Sequence, residues 1–478
     1  MSGTPRSSKR KALRAGISMV ALFALSALIA VWALDTLGIA PRRLAPYLEF
    51  RTSGHNSLIE DSGNWLASSL RSLDRGEPKT FALPRIKWIS RVDTATATEA
   101  GNVVPVNSAD AARRALAAAL PGDVITFAPG IYRFEGSSYL EAKQSGRPMR
   151  PITVRAERPG TVQLEFDLVE GFLVTGPYWT FENLTIRGVC QDHSRCEHAF
   201  HVVGAASHFI ARNNTTLDFN AHFKINGSGN RFPDDGLIEG NVLKNSGARR
   251  TGNPVTLIDL VAASDWVISD NQLSDFVKQG GDQISYGAFA KGAGERNRFE
   301  RNVVVCEDRI RNAAGQRVGL SLGGGGTGKP YCRDRRCITE QQEGVIRANL
   351  IASCSDDGIY LNKAAASVVN DNTLLDTGPL VVRFAESGAQ VEGNLVDSAI
   401  ESRDGSILHQ TDNFQTSIAS LYLGRHPVRK LFVNTSSLDL RWVGTPPRRQ
   451  RVETLPDLCG TSRPVNPTYG AFEDFSKC

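Results

Sequence analysis

Short apolar runs separated by polar bends recur along most of the chain: Val202-Val203, Phe209-Ile210, Leu257-Ile258, Val303 to Val305 and Leu380 to Val382. The bends share a pattern of an apolar β-branched or aromatic residue, two small or polar residues, then asparagine. It occurs as Ile210-Ala-Arg-Asn213, Ile238-Glu-Gly-Asn241, Ile268-Ser-Asp-Asn271, Phe299-Glu-Arg-Asn302, Ile346-Arg-Ala-Asn349, Val369-Asn-Asp-Asn372 and Val391-Glu-Gly-Asn394. The asparagines stand 28, 30, 31, 47, 23 and 22 residues apart, a period that marks a solenoid. Apolar runs this short have strand length. The expected fold is all-β: a right-handed parallel β-helix, with aliphatic side chains filling its bore and an asparagine ladder along one bend. Uneven periods fit, because one bend per rung can carry a long loop without disturbing the stack.

Other elements follow from local signals. Asn107-Ser108-Ala109-Asp110 offers N-cap chemistry ahead of an Ala/Leu-rich helix that stops before Pro121-Gly122. Such a helix would cap the open end of the first rung and protect its edge. Strands are expected at Val124 to Phe127, Ile152 to Arg155 and Phe181 to Ile186, with rungs continuing to about Val396. The segment Arg309 to Glu343, with Gly323 to Gly326 and many charges, reads as a long loop over one face. From Ser402 the pattern loosens, and Arg448-Arg449-Gln450-Arg451 reads as a solvated surface run.

The N-terminus adds a location. Lys9, Arg10, Lys11 and Arg14 precede an uncharged run from Ala15 to Leu34, long enough to cross a bilayer with its basic flank on the cytoplasmic side. The expected organisation is a basic tail (1–14), a transmembrane signal anchor (15–34), a juxtamembrane spacer (35–104) and a β-helix domain (105–478). The β-helix would then lie in the periplasm, held at the inner membrane. Secretion after signal cleavage is the alternative. Eight cysteines agree with export. Cys190 with Cys196 and Cys332 with Cys337 bracket short loops, Cys459 with Cys478 can pin the tail, and Cys306 with Cys354 remain. A net charge of +5 with no clustering gives no nucleic-acid signal. A monomer is expected.

Pro121 to Tyr132, followed by Arg150-Pro151-Ile152-Thr153-Val154-Arg155-Ala156, resembles the opening rungs of polysaccharide lyase family 6, which includes chondroitinase B and many alginate lyases. The ending Arg463-Pro464 to Glu473 resembles that family's last coil. The resemblance implies β-elimination from a uronate-containing, anionic polysaccharide, the expected partner. Its active site is matched by Asp356-Asp357-Gly358-Ile359-Tyr360-Leu361-Asn362-Lys363 and by Val381-Val382-Arg383. There Lys363 would be the base, Arg383 would assist the leaving oxygen, Tyr360 would bind substrate, and Asp356 and Asp357 would hold Ca2+. Gly358 stands where the family has a second acid, and adjacent strand residues point to opposite faces.

A second cluster lies on earlier rungs. Glu197-His198-Ala199-Phe200-His201 and Ala221-His222-Phe223-Lys224-Ile225-Asn226 are continued by Asp282, Tyr286 and Lys291. Here His222, Lys224 and Lys291 are candidate proton-transfer groups, and His198, His201 and Tyr286 candidate substrate contacts. The acidic pairs Asp234-Asp235 and Asp356-Asp357 raise the alternative of a glycoside hydrolase. A uronate epimerase shares the proton-abstraction step, and a non-catalytic polysaccharide-binding or export component is the reading outside catalysis.

Overall fold

The computed structural model describes residues 6–75, 101–137, 139–311, 313–324, 326–450 and 455–478. The chain divides into two compact units, Met1–Glu77 with Thr416–His426, and Pro78–Gln415 with Pro427–Cys478.

The larger unit is a parallel β-helix. Three long sheets of twelve, ten and eleven parallel strands run its length, consistent with the right-handed coil expected of parallel crossovers. Alternate residues of each strand enter the bore. Phe172, Phe200 and Phe223 are register partners on three successive rungs, and their rings stack with centroids 5.3 Å and 5.0 Å apart. The expected helix forms at Ala109–Ala118, and the Ser108 side chain accepts the Ala111 amide at 3.2 Å.

The asparagine ladder is real and longer than its motif. Asn241, Asn271, Asn302, Asn349, Asn372 and Asn394 each accept the preceding rung's backbone and side-chain amides, and each donates to the next. Asn413 continues the ladder, accepting from Asn394 at 2.9 Å. At the first rung the ladder residue is Asn214, not Asn213. The residue before each ladder asparagine has positive φ: Asn213 (54°), Asp270 (58°), Arg301 (51°), Asp371 (55°) and Gly393 (72°). Asn213 fills that left-handed position itself, so the motif is one residue out of phase there. At Gly393 a Cβ would collide with the Arg449 guanidinium and the Asp371 carboxylate.

Other expectations are corrected. Phe181 to Ile186 is two strands, Trp179–Glu182 and Thr185–Gly188, broken at Asn183 with φ 63°. The segment 309–343 is not all loop. Its Gln316–Leu322 forms a full strand of the ten-stranded sheet because Leu320 and Leu322 fill the bore. Rungs continue past Val396 through Ile400–Arg403, Ile407–Thr411 and Phe414–Gln415. The C-terminal residues do not make a last coil. Leu440, Leu458, Phe472 and Phe475 pack on outward Val303, Val305, Leu350 and Leu375 of the eleven-stranded sheet. Arg449 is buried, not solvated, and meets Asp371, Glu392 (2.8 Å) and Asp412 (3.0 Å). Arg451 lies outside the described residues.

All four expected disulfides are present: Cys190–Cys196, Cys306–Cys354, Cys332–Cys337 and Cys459–Cys478. They fit an oxidising, extracytoplasmic compartment.

In the smaller unit, helices span Arg6–Thr36, Pro41–Thr52 and Ser57–Arg75. A buried ion pair joins Arg42 and Asp74 at 2.6 Å, and Tyr422 donates to the Ile39 carbonyl at 3.0 Å. Leu22, Leu25, Leu28, Ile29 and Trp32 of the first helix are exposed. Among the described residues no single helix is long and apolar enough to cross a membrane. A pair bent by 105°, Ala24–Thr36 with Pro41–Thr52, passes that test together. The spacer stretch thus holds two helices that no periodicity in the sequence announced, and its residues 76–100 lie outside the described residues.

Candidate functional site

The ten-stranded sheet carries every site residue expected from the sequence or lies next to it. On its outer face a cleft of about 770 Å³ opens between the strands Ala221–Asn226, Val255–Val261 and Ile284–Lys291 and the loop around Lys329–Tyr331. Lys224, Asp259, Lys278, Asp282, Tyr286, Phe289, Lys291 and Arg333 line it. Parallel register makes Lys224 and Asp259 neighbours, as it does Val261 and Lys291.

The two cleft acids are each engaged by a lysine, and the cleft's Arg333 is held by an acid behind it. Lys224 Nζ meets Asp259 at 2.8 Å, Lys278 meets Asp282 at 2.6 Å, and Arg333 grips Asp234 through two bonds of 2.7 and 2.9 Å. The Arg333 guanidinium also lies 4.5 Å from the centre of the Phe232 ring. Lys291 differs. Its Nζ sits 4.2 Å from the centre of the Phe289 ring, and no described carboxylate pairs with it. Burial lowers its pKa from the ordinary lysine value, with Lys224 adding to the shift and Asp259 and Glu340 opposing it. Burial pushes the Tyr286 phenol up, and Tyr360, Asp356, Asp357 and Asp282 push the same way.

These influences tie the two sequence clusters together. Lys363 lies at φ 57° just past the strand Asp357–Asn362, with Glu386 4.0 Å from its Nζ. Arg383, the register partner of Asn362, pairs with Asp404 and lies 3.4 Å from the Tyr360 hydroxyl. Tyr360 in turn accepts from Asn362 at 3.0 Å. The strand bearing Arg383 is three places along the sheet from the strand bearing Lys291, about 14 Å at ordinary strand spacing. Both groups therefore lie on one face, along a single line parallel to the coil axis.

Three expected assignments fare differently. His222 has no exposed surface; it bonds Thr216 at 2.6 Å and Asn245 at 3.3 Å, and burial lowers its pKa to about 4. It is a structural residue near the start of the strand Ala221–Asn226, out of reach of any polymer. His198 and His201 do not line the cleft but gather around Glu170, a residue that no motif singled out. Burial raises the Glu170 pKa, but the two imidazoles outweigh it and bring it down to about 2. Glu170 precedes its register partner His198 by 28 residues, one rung, and that period was the available signal. Asp356 and Asp357 do not assemble a calcium cage. Asp357 is buried at the start of its strand, and among the described residues the one group of three converging His, Cys or carboxylate ligands is Glu170, His198 and His201. Calcium takes six to eight oxygen ligands, and among the described residues no third carboxylate or histidine converges with this pair. Asp259, Phe289 and Arg333 were also missed, because partners that sit opposite one another across rungs have no local sequence signature.

No protein-family model and no curated protein matches the sequence. Among solved structures the chain is similar to pectate lyase Pel9A, at 15% identity and a TM-score of 0.49, covering 76% of this chain and 90% of that one. It is also similar to the PL6 family polysaccharide lyase Pedsa3628 from Pseudopedobacter saltans, at 12% identity and a TM-score of 0.35, covering 70% and 98%. A third is the catalytic unit of the GH87 α-1,3-glucanase from Streptomyces thermodiastaticus strain HF3-3, at 13% identity and a TM-score of 0.37, covering 66% and 69%. At such identities the likeness concerns the coil alone.

Proposed function

We propose that the protein is a polysaccharide lyase that cleaves a uronate-containing polymer by β-elimination, with Lys291 as the base. The observation that carries this reading is a buried lysine without a carboxylate partner, its pKa lowered, in a cleft whose other two lysines are each paired with an aspartate. A lysine serves as base only when neutral, and desolvation favours the neutral amine. Its Nζ takes the C5 proton of the uronate, the C4–O4 bond breaks, a C4=C5 double bond forms, and the leaving oxygen takes a proton from solvent. Lys224, fixed by Asp259, and Arg333, fixed by Asp234, supply positive charge that favours an anionic sugar and stabilises charge building up on its carboxylate. Lys363 and Arg383, further along the same face, hold the next sugars rather than perform the chemistry. A hydrolase needs one carboxyl kept protonated as acid. At Asp282, by contrast, burial raises the carboxyl pKa but the hydrogen bonds from Lys278 and the Ile284 amide, with the lysine's charge, together bring it down, and Asp259 is held in an ion pair with Lys224.

The basic flank and apolar run at the N-terminus support an inner-membrane anchor with the β-helix in the periplasm; fractionation of intact cells tests that placement. Incubating the protein with alginate, dermatan, pectate and glucuronan tests the reaction. Ultraviolet-absorbing unsaturated ends are the expected product. New reducing ends without that absorbance would make it a hydrolase, inverted C5 centres without cleavage an epimerase, and binding alone a carrier or assembly component.

A further inference from the structure

Glu170, His198 and His201 bring one carboxylate oxygen and two imidazole nitrogens within 4.8 Å of one another. The hydrogen bonds around this cluster are incomplete. The Asn226 side chain donates its Nδ2–H to the Gly227 carbonyl at 3.1 Å, so its Oδ1 is the atom that faces His201 Nε2 at 2.8 Å. An amide oxygen only accepts, so Nε2 carries the hydrogen. In a neutral His201 the lone pair is then on Nδ1, which lies 2.8 Å from Glu170 Oε1. Two acceptors face each other. The same oxygen lies 3.4 Å from His198 Nδ1, which is buried and has no hydrogen-bond partner. A positive centre between them resolves the clash: either extra protons on the imidazoles or a metal ion.

We propose that Glu170, His198 and His201 bind a divalent transition metal of the zinc class through one Glu170 oxygen and the Nδ1 atom of each histidine. Two imidazoles and a carboxylate suit zinc, cobalt or nickel and not calcium or magnesium, which prefer oxygen ligands alone. The outer partner is already in place, since Asn226 accepts the His201 Nε2–H that orients the ring for coordination through its other nitrogen. The dimensions are close. Ligand atoms about 2.1 Å from a tetrahedral zinc stand roughly 3.4 Å apart; the His198–Glu170 gap is 3.4 Å, and the His201–Glu170 gap of 2.8 Å must widen by about 0.6 Å. Three protein ligands leave a fourth position open, the arrangement of reactive rather than purely structural zinc. Asn226 also lines the cleft, so the metal would sit one side chain from where the polymer lies. The site stands independently of the lyase reading.

The test uses the full chain without a histidine tag, stripped with chelator and titrated with Zn2+ against a chromophoric competitor, and separately with Co2+. The expected result is one equivalent bound with a micromolar or tighter dissociation constant, and a visible Co2+ spectrum of low coordination number. His198→Ala and Glu170→Gln should each weaken binding at least 100-fold, and Asn226→Ala by about 10-fold, the usual loss when an outer partner is removed. His208→Ala, at a histidine stacked on Tyr178 elsewhere, should leave it unchanged. Melting curves establish that each variant is folded. If the ligand variants unfold, the wild-type Co2+ spectrum and Asn226→Ala decide. No stoichiometric binding by the wild type overturns the proposal. So does undiminished binding by a folded ligand variant, or a His201 ring that nuclear magnetic resonance shows doubly protonated at pH 7.5 under excess Zn2+.

Discussion

Lys291 lies with its Nζ 4.2 Å from the centre of the Phe289 ring, two residues back on the same strand, where other cleft lysines meet carboxylates. The ring face favours the charged amine, but burial lowers the pKa and prevails. In the folded state Lys291 therefore loses its proton at lower pH than in the unfolded chain. Below the folded pKa both states are charged and burial of the charge costs stability. Above it the native state is relieved of a growing share of that cost while the unfolded chain stays protonated. Native stability relative to a lysine-free variant is thus lowest below the folded pKa, and the handicap shrinks as pH rises from there to about 10.4, the unfolded value. Lys291→Met should accordingly raise the urea midpoint at pH 7, and the gain should depend on pH within that window. A gain that does not depend on pH would mean that the lysine is not buried as charge.

The same amine predicts the kinetics. Once a polymer substrate is found, kcat should rise with pH through the Lys291 pKa, and Lys291→Ala should lower it by roughly 10²- to 10⁴-fold, the usual worth of a positioned general base. Arg383→Ala and Lys363→Ala should instead raise KM several-fold and leave kcat within about threefold, because they bind sugars about 14 Å and about 10 Å away, three and two strands along the sheet. Loss of kcat in Lys363→Ala with activity kept in Lys291→Ala would move the chemistry to the later rungs.

Arg449 is the stability prediction. Its guanidinium is buried among Asp371, Glu392 and Asp412, so Arg449→Ala removes the buried cation that these acids share and should cost about 3–5 kcal/mol in denaturant unfolding. Arg449→Lys should recover only part of this, since a single ammonium cannot fork to three acids. A cost below about 1 kcal/mol would show that water replaces the cation freely.

Arg449 also marks where local sequence stops being informative. The coil was legible because its determinants repeat: bore residues alternate along each strand, and an asparagine returns every rung to satisfy backbone amides that the bend leaves open. The ladder position erred only at Asn213, where an asparagine also filled the left-handed position. Arg449 appears in sequence as one of three arginines beside prolines, and nothing local says that three acids from rungs 37 to 78 residues away converge on it. The site shows the same division. Lys224 and Lys291 stood out as ionisable residues at rung spacing, but which lysine is paired and which is bare depends on Asp259, set opposite by register, and on Phe289. His222 and Lys224 are two apart in sequence, yet one is buried against Thr216 and the other faces the cleft.

The disulfides separate stability from site shape. Cys306–Cys354 closes 48 residues and lies in the bore, and the loop-entropy relation gives about 4 kcal/mol for such a span. The double substitution Cys306→Ala with Cys354→Ala should therefore lower the unfolding free energy by roughly that amount and leave KM alone if the protein is assayed well below its melting temperature. Cys332–Cys337 closes only 5 residues, for which the same relation gives about 2 kcal/mol, and it ties a surface loop and no rung. But Cys332 lines the cleft beside Arg333, so releasing the loop loosens the wall that holds the Asp234-bound guanidinium. Cys332→Ser with Cys337→Ser should raise KM several-fold with a small change in melting temperature. Equal KM in both double variants would remove that loop from the substrate's path and confine binding to the strand face.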